Sequence, residues 1–128
     1  MTITGFDLFR EFATQRGTWV PAVDIYETDG HDLVIKAELP DMTREDIEVT
    51  VENNTLTLGG VRKVPADVKE QQFRRIERNY GAFNRSFTLP NTVDASKVSA
   101  EYKNGVLTVK LPFREEARPR TINVEVAA

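Results

Sequence analysis

The sequence predicts an antiparallel β-sandwich, and three observations predict it. From Ala22 onward the apolar residues recur with a period of two almost to the end, the spacing at which a strand turns one row of side chains inward. Hairpin signals punctuate that pattern at Asp29-Gly30, Asn53-Asn54 and Asn104-Gly105. The chain also echoes itself at an offset of roughly fifty residues. Leu39-Pro40-Asp41, a polar arch, the row Ile47/Val49/Val51 and Asn53-Asn54-Thr55-Leu56 return as Leu89-Pro90-Asn91, an arch, Val98/Ala100/Tyr102 and Asn104-Gly105-Val106-Leu107. Two copies are too few for a solenoid, so the echo reads as two sheets of one sandwich, each entered through a proline-broken arch and continued by a hairpin.

Taken in order, residues 1–20 form a short arm in which Ile3, Phe6, Leu8, Phe9 and Phe12 recur at roughly helical spacing. Gly17, Trp19 and Pro21 end it, and the sandwich domain is expected over 21–113. Its first hairpin joins Ile25–Glu27 to Leu33–Glu38 through Thr28-Asp29-Gly30-His31, where Asp-Gly supplies the positive backbone angles of a tight turn. The second joins Ile47–Val51 to Thr55–Leu58 through Asn53-Asn54, asparagine being the side chain that best tolerates the left-handed region. The third, at Asn104-Gly105, joins Val98–Tyr102 to Val106–Leu111 and is the strongest turn signal in the chain.

Two segments exceed what a plain sandwich needs. Residues 61–80 make a connection longer than compact domains use, and within it Gln72–Arg78 alternates enough to form a strand. Residues 114–128 form a charged, proline-containing extension that delivers Ile122, Val124 and Val126 on one face of an extended chain.

Composition narrows function by exclusion. At 128 residues there is room for one domain, and 17 basic against 20 acidic residues give a net charge of −3, the wrong sign for a general nucleic-acid binder. The basic loop residues Arg62, Lys63, Lys69, Arg74, Arg75 and Arg78 are interleaved with Asp67, Glu70 and Glu77, and read as a solvated loop facing a partner. With no cysteine, the lone His31 and only Ser86, Ser96 and Ser99, nucleophile and base pairs lack raw material, so no catalytic residue, cofactor or metal is assigned. His31 reads as a solvated turn residue. Apolar runs are too short to span a bilayer, the arm lacks the cations of an interfacial anchor, and the start lacks a secretory signal, so a cytoplasmic protein without stable membrane association is expected. Arg85 shares a face with Phe83 and Phe87 and, if buried there, needs a carboxylate or carbonyl.

The run Leu89-Pro90, Val93-Asp94, Lys97-Val98, Ala100, Asn104-Gly105-Val106-Leu107, Val109 and Leu111-Pro112 closely resembles the signature of the small heat-shock proteins, the α-crystallin-domain family. Glu77–Phe87 resembles the segment preceding that family's Leu-Pro, and Ile122-Asn123-Val124 its C-terminal Ile-x-Ile/Val motif. The resemblance implies an immunoglobulin-like sandwich acting as an ATP-independent holdase for partly unfolded client proteins. It also implies dimers in which Gln72, Phe73, Arg74, Arg75, Ile76, Glu77 and Arg78 cross from loop 61–80 to the partner's edge at Ala22–Glu27. Higher oligomers follow when Ile122 and Val124 enter a groove between Ile47/Val49/Val51 and Val98/Ala100/Tyr102 of a neighbour. The Phe6/Phe9/Phe12 stripe reads, from the residues themselves, as self-docking on the core, assembly or client contact, and Arg85 matches a family arginine. The alternative from another class is an adaptor or co-chaperone module that binds one specific partner.

Overall fold

A computed structural model describes residues 19–127, so Phe6, Phe9 and Phe12 lie outside the described residues. Among the described residues seven strands are formed: β1 (Val23–Glu27), β2 (Asp32–Glu38), β3 (Ile47–Glu52), β4 (Thr55–Arg62), β5 (Gly81–Thr88), β6 (Ser99–Lys103) and β7 (Val106–Pro112). They make two antiparallel sheets, one ordered β1-β2-β7-β6 and the other β3-β4-β5. The two echoing hairpins, β3–β4 and β6–β7, fall in different sheets, and the arches at Leu39-Pro40 and Leu89-Pro90 carry the chain from one sheet to the other. The all-β sandwich expected from alternation is therefore the fold.

The inward rows supply the core. Ile35 and Ala37 from the first sheet and Leu39 of the arch meet Leu56, Leu58 and Phe83 from the second, with Leu107, Val109 and Leu111 of the first completing the layer. The two arch leucines, Leu39 and Leu89, are both buried. Their apolar contact, together with a proline that cannot continue the ladder, is why the chain leaves its sheet at those points.

Turn chemistry follows expectation at two hairpins and departs from it at one. Asn53 and Asn54 (φ 51° and 59°) and Asn104 and Gly105 (φ 54° and 76°) hold paired left-handed residues. At the first hairpin the left-handed residue is His31 (φ 61°), not Asp29-Gly30. The loop there is four residues long, and its Thr28–His31 turn, closed by the His31 N–H donating to the Thr28 carbonyl, displaces the special angle to the last position.

β4 runs on to Arg62 and shortens the long connection, which starts at Lys63 instead of residue 61. The extension requires Gly60: a Cβ there would stand 2.1 Å from the Asp46 carbonyl oxygen, where the arch enters β3. Within the single chain, residues 73–80 form no strand. Gln72 closes a short 3-10 turn, with N–H groups of Gln72 and Phe73 donating to the Lys69 and Glu70 carbonyls.

Candidate functional site

β3 is the edge of one sheet and β6 the edge of the other. Between them lies a cleft of about 480 Å³ lined by Arg44, Ile47, Val49, Ala100, Tyr102 and Leu107. Alternation places these aliphatics: Ile47, Val49 and Val51 form the half-buried row of β3, while Glu48, Thr50 and Glu52 face solvent. Of the six groove residues expected from sequence, Ile47, Val49, Ala100 and Tyr102 line the cleft, whereas Val51 and Val98 are packed against the core. Tyr102 closes the arch end. Its hydroxyl donates to the Leu39 carbonyl and accepts from the Met42 N–H.

The tail that could enter such a cleft leaves the domain after Arg114, whose N–H and Nε donate to the Thr92 and Asn91 carbonyls. After a 3-10 turn over Glu115–Ala117 it is without regular structure, and Ile122, Val124 and Val126 are 81%, 88% and 93% exposed. Such exposure argues against a last strand of the chain's own sandwich.

The opposite side of the molecule is organised by cations and aromatics. Arg85 on β5 donates from Nη1 to the Pro21 carbonyl at 2.8 Å, and its guanidinium lies 5.3 Å from the centre of the Phe87 ring. The carbonyl expected for an arginine among phenylalanines is thus Pro21. β1, the other edge on this side, carries Ile25 and Tyr26 about half exposed. The residues expected to cross to a partner are exposed except for half-buried Phe73 and Ile76, and Arg78 reaches from the loop to Asp41 of the first arch at 3.1 Å. His31 sits at its turn with Nδ1 3.3 Å from the Glu27 carboxylate.

Residues 25–126 match the sequence profile of the Hsp20/alpha crystallin family. The chain belongs to that family. Among its relatives, the spore protein SP21 of Stigmatella aurantiaca is 40% identical over 115 residues, covering 88% of this chain and 68% of the relative. The small heat shock protein C2 of Rickettsia felis is 32% identical over 126 residues, covering 93% and 80%. Solved structures agree. A small heat-shock protein from Xylella fastidiosa superposes with a TM-score of 0.72 at 39% identity, covering 85% of this chain and 99% of that one. HspA from Xanthomonas axonopodis gives 0.68 at 40% identity, covering 76% and 96%. A small heat-shock protein with a chaperone role and an α-crystallin sandwich is the conclusion these similarities support.

Sequence reasoning missed one cluster of this small heat-shock protein. Arg62, read as a solvated loop residue, is 6% exposed. Its guanidinium lies 4.3 Å from the centre of the Trp19 ring and donates to the Asn79 carbonyl at 3.1 Å, while Nε has no hydrogen-bond partner. Burial, reinforced by the nearby Arg78 charge, pulls its pKa below the ordinary arginine value. Trp19 in turn donates from Nε1 to the Gly81 carbonyl and packs on Phe83 at 5.0 Å. One stack therefore joins the entry of the domain (Trp19), the exit into the long loop (Arg62) and the return from it (Asn79–Gly81). The signal was available: Leu56, Leu58, Gly60 and Arg62 share one face of β4 at period two. Arg44 and Leu107 of the cleft were missed because one lies in an arch and the other on a central strand.

Proposed function

We propose that this small heat-shock protein is an ATP-independent holdase of the cytoplasm, built from strand-exchanged dimers that associate further through their tails. The observation that carries the proposal is the pairing of an apolar cleft between two sheet edges with three aliphatic side chains that are more than four-fifths exposed on a tether. Unpaired edges invite association, and burying two aliphatics contributes on the order of 3–6 kcal/mol before the ordering cost of the tail. Each contact is reversible, and many in one assembly reinforce each other through effective concentration. Apolar surface that alternates between covered and uncovered is what a partly unfolded client would engage. In this reading Gln72–Arg78 pairs with β1 of a second copy, and Phe6, Phe9 and Phe12 add client or assembly contacts.

The test is suppression of light scattering by several unrelated heat-destabilised proteins, at near-stoichiometric ratio and without nucleotide. Protection across the panel is the expected result. Protection of a single client, or a strict requirement for ATP, would overturn it in favour of an adaptor.

A further inference from the structure

The basic residues of the long connection divide by what they hold. Arg74 and Arg75, in its middle, bond inside the loop, to the Gln71 and Gln72 carbonyls and to the Glu77 carboxylate. The cations at its two ends bond outside it. At the entry Lys63 pairs with Asp46 at 2.9 Å, and at the exit Arg78 pairs with Asp41 at 3.1 Å. Both carboxylates belong to the first arch, between β2 and β3. Asp41 presents its carboxylate from a left-handed residue (φ 61°) directly after Pro40.

Arg62 joins the two ends to each other. It is the last residue of β4, paired with Gly81 at the start of β5, and its Nη1 donates to the Asn79 carbonyl across the mouth of the loop. The position is unfavourable for a cation. Its buried Nε has no hydrogen-bond partner, and no carboxylate forms an ion pair with it, among the described residues. An unbranched apolar side chain of similar length would also cover the Trp19 ring and would bury no orphan donor, so domain stability alone does not call for an arginine here. What the guanidinium adds is the bond to Asn79, the residue after Arg78.

We infer that Arg62 is a positioning residue for strand exchange: it ties Asn79 to the end of β4 while Asp41 holds Arg78, and so fixes the stem from which Gln72–Arg78 leaves the domain. It does so against the stability of its own domain. This role presupposes strand exchange between copies and adds the residues that aim the strand. A loop whose stem is already fixed loses less freedom when its strand pairs, so the dimer forms at lower concentration.

The test compares the full chain with Arg62→Met, Asp41→Asn and the deletion of Gln72–Arg78. Sedimentation across a dilution series gives the concentration at which half the chains are monomeric, and melting is read where every sample is monomeric. Arg62→Met should melt at or above the wild-type temperature yet need about tenfold more protein to dimerise, the effect of one hydrogen bond from a charged donor. Asp41→Asn should melt as wild type and need about two- to fivefold more protein, as for an exposed ion pair, a difference that should shrink in roughly 1 M salt. A lower melting temperature for Arg62→Met, or its failure to fold, would make Arg62 a structural residue and overturn the positioning role. Unchanged dimerisation of Arg62→Met, where the deletion gives monomers, would overturn it too and leave strand exchange standing. Unchanged dimerisation of Asp41→Asn would overturn the arch's part in the stem. Dimers that survive the deletion would overturn strand exchange itself, and the role of Arg62 with it.

Discussion

At β5 the chain covers its own sheet edge, whereas at β3 and β6 two edges border a cleft that the chain's own tail does not line. The cover at β5 is residues 19–21. Trp19 forms a parallel bridge with Phe83, its indole donates to Gly81, and the Pro21 carbonyl takes the Arg85 guanidinium. Those contacts are buried or half-buried, continuous with the core, and made by a segment directly joined to the domain. The cleft side offers the same kind of half-buried aliphatic row, but its complementary residues sit on a tether that begins at Arg114. The difference teaches that a sheet edge is covered by its own chain where a directly attached segment can reach it. A directly attached aromatic stabilises the domain. Distant aliphatics on a charged, proline-containing linker stay exposed.

The comparison breaks if a change on the β5 side leaves the fold untouched. Trp19→Ala should cost about 3–5 kcal/mol, since it removes a buried ring and leaves the Arg62 guanidinium buried without its stacking partner. A melting temperature within a degree or two of wild type would show that residues 19–21 are not part of the closed edge. Deleting Gln72–Arg78 should cost only about 1–2 kcal/mol, for the loss of half-buried Phe73 and Ile76, while converting dimers to monomers with an intact β spectrum. Dimers that persist would place the partner's contact elsewhere. Ile122→Ala with Val124→Ala should move thermal unfolding by less than about 0.5 kcal/mol, as expected of exposed positions, yet reduce large assemblies toward dimers. Adding Val126→Ala prevents the later pair from substituting, because Val124 and Val126 repeat the same spacing.

The smallest effect sharpens the cleft side alone. Burial works against ionisation of Asp46, but Lys63 and the Thr43 N–H and hydroxyl outweigh it and hold the carboxyl below its ordinary value of 3.8. A carboxylate whose folded value is depressed contributes stability in full above its unfolded value and loses it as pH falls through the folded one. The stability difference between wild type and Asp46→Asn should therefore be constant at neutral pH, shrink as the pH drops below 3.8, and vanish once the folded carboxyl is protonated. Denaturant titrations across that range check it. A difference that grew toward acid would have the wrong sign for this account.

Sequence alone determined what depends on neighbours along the chain. Alternation set the strands to within a residue or two at most ends, Asn53-Asn54 and Asn104-Gly105 specified their own turns through left-handed tolerance, and the repeated Leu-Pro arches marked where the chain changes sheet. It also set Ile122 and Val124 apart from the domain by a charged, proline-containing linker, while leaving open a last strand of the same sandwich. Tertiary structure decided the rest. Arg62 has the composition of a loop and the position of a core residue, and only the approach of Trp19 and the Asn79 carbonyl, from distant parts of the chain, makes its burial tolerable. His31 took the left-handed angle because the four-residue loop geometry, not the Asp-Gly pair, closed the first turn. Gln72–Arg78 has strand-like alternation but forms no strand within the single chain, because a ladder requires a partner strand and local alternation does not supply one. Arg44 lines the cleft for the same reason: it lies in the arch between β2 and β3, yet its cleft neighbours Ala100, Tyr102 and Leu107 come from β6 and β7, and no local pattern encodes them.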